Sequence, residues 1–289
     1  MIITKTQFSI MVANFKNIVL VPTDFSEVCA NAASQAIDTA KLLKFKVVLL
    51  HVVNSETKAY LKEENLPEES IVHRLKVLAD ELQSQSGVDV EFLSREGSIF
   101  TTISNVAKEI GANLIYLGTH GKAGIQHFTG SFALKVVTSS TVPVVVVQKR
   151  PVNKDYSDIV LPITSDLCTA EKAAWAIYIS KEFDATMHIL VIGDAGDLIY
   201  ESAHEIARMF DKNGVSYTFK EAEKHSHFSK QTIDYATSNN TDLIMIMTNP
   251  DKLVTQFILG SYDEEIIFNT TQIPVLCVNP RELDFNLKD

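Results

Sequence analysis

The chain has 289 residues, 46% hydrophobic and 21% charged, and carries a net charge of −10 at pH 7. At roughly 150 residues per domain this length suggests two domains, each long enough to bury a core, and 11 Gly with 8 Pro exclude a collagen-like or disordered chain. No apolar run approaches the ~18 residues of a membrane span, no Lys/Arg stripe marks a nucleic-acid surface, and Cys29, Cys168 and Cys277 lack metal-ligand spacing and fit a reducing compartment.

The segment Phe8–Ala13 is too short for a secretory signal, so a cytoplasmic location is expected. Beyond it, apolar runs alternate with amphipathic ones. Nearly continuous apolar runs near 17–22, 46–53, 88–93, 113–118 and 143–148 read as strands covered on both faces. Asp24 and Ser26, both good N-cap types, precede Ala30, Ala33, Ile37, Ala40 and Leu43 at helical spacing. Ile71, Leu75, Leu78 and Leu82 give a second helix, and Ile99, Ile103, Val106 and Ile110 a third. Further strands are expected near 158–162, 186–192, 215–220, 242–247 and 273–278.

The chain repeats itself. Asn17-Ile-Val-Leu-Val-Pro-Thr-Asp24 returns as Asp158-Ile-Val-Leu-Pro-Ile-Thr164, and Ala112–Thr119 returns as Thr241–Thr248. Gly130-Ser131 recurs as Gly260-Ser261, and the Val142–Val147 strand as Ile273–Val278. Four matches in one order mean two copies of one domain. Strand–helix alternation makes each copy a doubly wound α/β domain with a five-stranded parallel sheet. The expected limits are 16–150 and 156–280. Each terminal strand is strongly apolar and would be a liability as a free edge.

In such sheets ligands sit beyond the carboxyl ends of the strands, where strand order reverses. Three exits therefore matter: Pro22-Thr23-Asp24-Phe25-Ser26, Leu50-His51-Val52-Val53, and Gly118-Thr119-His120-Gly121 with the later Gly130-Ser131. Gly130-Ser131 opens the apolar periodicity of Phe132, Val136 and Val137, so it stands at a helix start, where free N–H groups favour an anion.

This combination resembles the universal stress protein family, over both halves, in its tandem form. The resemblance implies an adenine-nucleotide-hydrolase-like fold in which the two domains pair as an intrachain pseudo-dimer. Val144–Val147 is then expected to meet Val275–Val278 antiparallel. In the nucleotide-binding branch, Gly-x2-Gly-x9-Gly-Ser/Thr holds ATP phosphates. Carried over, the ATP site comprises Pro22, Thr23, Asp24, Val52, Gly118, His120, Gly121, Gly130, Ser131 and Phe132, with Mg²⁺ accompanying the phosphates. Eight residues, Lys122 to Thr129, separate Gly121 from Gly130 where the family pattern has nine.

The second copy departs further. Asp24 maps onto Thr164, or onto Ser165 if the strand register is kept, and Gly118 and Gly121 map onto Met247 and Pro250. The expected function is a stress-response or signalling switch that binds ATP in the first domain and an unidentified protein partner, with association into a homodimer of tandem chains. The alternative is a scaffold that binds no nucleotide. No base or arginine finger is evident, so at most slow hydrolysis is expected. Cys29 and Ser26 lack an activating base, His120 lacks a triad partner, His225 and His227 lack further metal ligands, and Trp175 falls in a core or interface periodicity.

Overall fold

The computed structural model describes residues 15–119, 130–150, 156–165, 167–193, 195–223, 227–248 and 261–279. In the first half the strands are β1 (Ile18–Pro22), β2 (Lys46–Val53), β3 (Val90–Glu96), β4 (Leu114–Gly118) and β5 (Val144–Val147). The helices among them are α1 (Glu27–Leu43), α2 (Ser55–Glu63), α3 (Glu69–Ser86), α4 (Ile99–Ile110) and α5 (Gly130–Ser139). The second half supplies β6 (Asp158–Ile163), β7 (Thr186–Val191), β8 (Tyr217–Glu221), β9 (Leu243–Met247) and β10 (Val275–Val278). Its helices are α6 (Thr169–Phe183), α7 (Asp197–Asn213), α8 (Phe228–Ser238) and α9 (Ser261–Ile267).

All ten strands form one sheet in the order β3-β2-β1-β4-β5-β10-β9-β6-β7-β8. The order reads the same from either edge. Neighbours run parallel within each half, and the halves join where β5 and β10 pair antiparallel, Val275 opposite Val146 and Cys277 opposite Val144. The expected meeting of the terminal strands is therefore observed, and it leaves neither Val-rich strand as an edge.

Side-chain alternation splits the core into two layers that each run through both halves. Val19, Val21, Leu49 and Tyr116 face the layer of α1, α3, α6 and α7, with Leu161 and Ile189 beside them. Leu20, Leu50, Val52 and Leu117 face the layer of α4, α5, α8 and α9, with Val160 and Ile244. Trp175 is fully buried in the first layer, 6.3 Å from the Phe15 ring and 6.0 Å from Tyr178, so it joins the two halves. Tyr178 accepts from Asn113 Nδ2 (3.3 Å), and Tyr156 donates to Gln35 Oε1 (3.2 Å), across the same join.

β3 lies further along the chain than the expected 88–93. As an edge strand it is half covered, so Ser94, Arg95 and Glu96 pair with His51, Val52 and Val53 without an apolar run to announce them. The strand pairings also decide how the repeats align. Lys46 N donates to Asn17 O as Thr186 N does to Ser157 O, and Asn113 N donates to Ile18 O as Asp242 N does to Asp158 O. Asn17 thus corresponds to Ser157 and Ile18 to Asp158, which carries Asp24 onto Thr164; the Ser165 alignment, which slides Ile-Val-Leu by one residue, is not the structural one.

Candidate functional site

The turn leaving β1 is held by its own side chains. Thr23 Oγ1 accepts from Phe25 N (3.0 Å) and Asp24 Oδ1 accepts from Ser26 N (2.9 Å). Ser26 is the N-cap of α1, its Oγ accepting from Cys29 N at 3.4 Å. Asp24 therefore does not cap the helix; it closes an Asx turn just before it. Phe25 sits at φ 66°. A non-glycine residue in this region is held there by its surroundings, here by the two turn bonds and by ring stacking.

Next to this turn is a cavity of about 450 Å³, bounded by the carboxyl ends of β1 and β2 and by α2, α3 and α4. That size suits a small-molecule ligand. Leu50, Val52, Ile71, Ile99 and Ile103 give it an apolar lining, and Asp24, His51 and Arg74 bring polar groups to it. Pro22, Thr23, Asp24 and Val52 of the expected site all line this one cavity. Glu56 and Glu63 add acidic groups from α2.

His51 ties the walls together. It is buried, with Nδ1 2.8 Å from Thr23 O and Nε2 3.1 Å from Thr57 Oγ1. A carbonyl only accepts, so Nδ1 carries the proton and Nε2 accepts from the Thr57 hydroxyl. Burial pushes the ring below the usual histidine range, and the Arg74 cation adds to this; the Thr23 bond and the Asp24 charge pull the other way. The neutral imidazole stacks on Phe25 at 5.0 Å, and the Arg74 guanidinium stands 4.2 Å over the other ring, Phe25. Arg74 Nη1 lies 3.5 Å from the Tyr60 hydroxyl. The result is a histidine–phenylalanine–arginine stack along one wall.

The sequence reading did not pick out Phe25, His51, Thr57 or Arg74 as site residues. His51 left a trace, as an imidazole in an apolar strand. Arg74 left none, since an arginine on a helix is ordinary.

Gly118 ends β4, and a Cβ there would meet Val28 O at 2.8 Å, Val28 C at 3.0 Å and Cys29 N at 3.1 Å. On that side what approaches the glycine is the first turn of α1. In the second half Met247 stands at the matching place, and α6 begins at Thr169, the counterpart of Cys29, two residues later than α1 begins at Glu27. The second half thus has a larger residue at the strand end where its helix begins later.

Helix α5 opens at Gly130 and Ser131 with no acidic residue in its first turn, whereas α9 carries Asp263 and Glu264 there. A helix start favours anions, and of the two helices α9 alone carries acidic side chains in its first turn. Phe132 stacks on Phe100 of α4 at 5.2 Å. Ile99 and Ile103 of the same helix line the cavity, whereas Gly118, Gly130, Ser131 and Phe132 of the expected site are not among its lining residues. His120, Gly121 and the eight residues before Gly130 lie outside the described residues.

Other candidate groups stand apart. Cys29 is buried, and burial together with the Asp24 charge pushes its thiol up to about 12, which makes it a poor nucleophile. Cys277 is buried and Cys168 is exposed, both in the second half. His225 is outside the described residues, His227 precedes α8, and no cluster of three metal-ligating side chains occurs among the described residues. No described helix is long and apolar enough to cross a membrane.

Comparison with known proteins agrees with this arrangement. The model of the universal stress protein family matches residues 16–148. A universal stress protein of Methanocaldococcus jannaschii is 32% identical over 142 residues, 45% of this chain and 81% of the relative. One from Synechocystis is 31% identical over 135 residues, 46% of this chain and 85% of the relative. The crystal structure of a universal stress protein from Archaeoglobus fulgidus covers 91% of this chain and 98% of its own, with a TM-score of 0.72 at 20% identity, a likeness of fold. With a relative matched over four fifths of its length and the matched residues holding the β1–β5 half and its cavity, the chain belongs to the universal stress protein family.

Proposed function

We propose that the first half binds ATP and that occupancy switches the conformation or partner affinity of the chain. One observation carries the reading: the cavity at the ends of β1 and β2 joins the Asp24 carboxylate to an apolar lining, and α5, which packs on α4 through Phe132, starts without an acidic residue. In this reading the adenosine lies in the cavity with Asp24 and Val52 as contacts. The phosphates reach Gly118, His120, Gly121 and the Gly130-Ser131 helix start, flanked by Phe132. Backbone N–H groups supply the local attraction that a chain of net charge −10 lacks overall. Mg²⁺ accompanies the phosphates and offsets that field. Any hydrolysis is slow.

The reading extends to the whole chain as two universal stress protein domains, 16–150 and 156–280, in a cytoplasmic protein. The second keeps the fold and has lost the site: Thr164 replaces the acid, Met247 and Pro250 replace glycines, and Asp263 and Glu264 occupy the helix start. Proline has no N–H to donate to a phosphate. Pairing of two tandem chains into a homodimer completes the proposal. The eight-residue spacing before Gly130 favours a second reading, a partner-binding scaffold without nucleotide.

Calorimetric titration of nucleotide-stripped protein with Mg-ATP separates the two. One site per chain is the expected stoichiometry, and Asp24→Ala weakens it by about tenfold, the loss of one hydrogen bond to a charged group. Asn at the same position keeps the Asx turn and isolates the charge. Absence of heat and of a thermal shift up to millimolar ATP replaces the switch with the scaffold.

A further inference from the structure

We infer that the Thr119 hydroxyl is a ligand contact of the first half, held ready to donate to a ribose or phosphate oxygen of the bound nucleotide; this rests on the nucleotide reading above. Thr119 is 1% exposed. Its backbone N donates to Val147 O at 2.8 Å, so strand pairing runs on through it beyond Gly118. Its Oγ1 is buried and has no hydrogen-bond partner among the described residues. Buried hydroxyls are bonded as a rule, and each exception asks for an explanation.

The chain carries its own control. Thr248 is the counterpart in the second half, with the same backbone bond, from its N to Val278 O at 2.9 Å. The Thr248 hydroxyl is satisfied, by Asn279 Oδ1 and by Val278 O at 3.4 Å. In the first half Gln148 stands where Asn279 does. Its longer side chain carries the amide away to Asn269 O (2.9 Å), and Thr119 receives nothing from it. The half that has lost the site features gives the threonine a protein partner. The half that keeps them leaves it open.

The direction of the side chain follows from its neighbours. A Cβ on Gly118 would face Val28 and Cys29 of α1. Alternation then sends Thr119 to the opposite face of the sheet. That is the face of Leu117, Leu50 and Val52, which carries α4 and α5. Val19 pairs with Leu114 and Leu20 with Ile115, and continuing that register sets Thr119 level with Asp24 on the neighbouring strand. The hydroxyl thus lies on the α4–α5 face of the sheet, one strand over from the β1 turn that lines the cavity.

The test uses Thr119→Val, which keeps the shape and removes the hydroxyl, and Thr119→Ser, which keeps the hydroxyl. Mg-ATP is titrated into each full-length protein by calorimetry, and each ligand-free protein is melted. The expected result is about a tenfold weaker Kd for the Val variant, the effect of one hydrogen bond, with affinity restored by Ser. The ligand-free Val variant melts at or above the wild-type temperature, because replacing an unbonded buried hydroxyl costs nothing. A Val variant that binds as tightly as wild type overturns the inference, and so does one whose ligand-free form melts several degrees lower, which assigns the hydroxyl to the fold. Wild-type protein that binds no ATP overturns the nucleotide reading and this inference with it.

Discussion

Gln148 and Asn279 stand one residue beyond β5 and β10, and each reaches out of its own half to hold the end of a helix in the other. Gln148 Nε2 donates to Asn269 O at 2.9 Å and Ile267 O at 3.5 Å, at the end of α9. Asn279 Nδ2 donates to Val137 O and, at 2.8 Å, to Ser140 O, at the end of α5. Helix ends carry carbonyls that their own helix does not satisfy, and here the partner half satisfies them. The opposite end of α5 is Gly130-Ser131, so the helix whose first turn carries no acidic residue is anchored at its far end by the second half.

Removing that anchor tests how much the halves depend on each other. Asn279→Ala leaves Ser140 O without its side-chain donor and Val137 O with the long bond from Ser140 N at 3.4 Å, which costs about 1–3 kcal/mol. In urea the expected result is a lower midpoint with an unchanged slope. Asn279→Asp is worse, because it sets a carboxylate against carbonyl oxygens. Two alanine variants, at 148 and 279, with wild-type midpoints refute the anchoring role.

The glycine at the end of β4 makes the opposite prediction from its counterpart. Gly118→Ala puts a methyl 2.8 Å from Val28 O, a backbone atom that cannot swing aside. Overpacking of this kind costs about 1–3 kcal/mol. Met247→Ala instead opens a cavity in a buried site and costs about 2–5 kcal/mol. Thermal melts of both variants check this. A Gly118→Ala protein as stable as wild type means that α1 can begin later, as α6 does.

Asp263, in the first turn of α9, sets a pH dependence. Burial pushes its carboxyl up from the usual aspartate range to about 6. Its folded-state pKa is above the unfolded value, so the folded protein holds the proton where the unfolded chain releases it. Stability then falls as pH rises from about 4 toward 6, and the cost is complete above the folded value. Asp263→Asn is accordingly more stable than wild type at pH 7, and the advantage shrinks as pH is lowered toward 4. Denaturant unfolding of both proteins across that range checks the sign. An advantage that does not change with pH removes ionisation as its cause.

Most of the strand list was legible because a strand covered on both faces must be apolar throughout. β1, β2, β4 and β5 announce themselves in this way, as do their repeats. The helix α2 does not: it is nine residues long and mostly exposed, so it carries only Thr57 and Leu61 as buried positions. It enters through its cap, Asn54 Oδ1 accepting from Thr57 N at 2.9 Å, and it supplies the hydroxyl that His51 uses. β3 ran past its expected end because edge residues pair by backbone and need no apolar side chains.

Of the site, the acidic turn after β1 and the glycine-opened helix were readable as types in order along the chain. Their company was not. That Arg74 stands over Phe25, 49 residues away, depends on how α3 packs over the ends of β1 and β2. Nothing in the local pattern of either segment encodes it.

By itself the sequence determined the alternation of strands and helices and the doubling of the unit, which follow from periodicity and repetition, properties of short segments. The pairing of the two terminal strands was implied only by the family resemblance, and the fold shows it. Only the tertiary structure decided that Ile18 answers to Asp158, that Gly118 makes room for α1, that Gln148 and Asn279 cross between halves, and that Thr119 is left open where Thr248 is satisfied. Those relations join groups far apart in the chain, and close packing rather than local pattern selects which side chains meet.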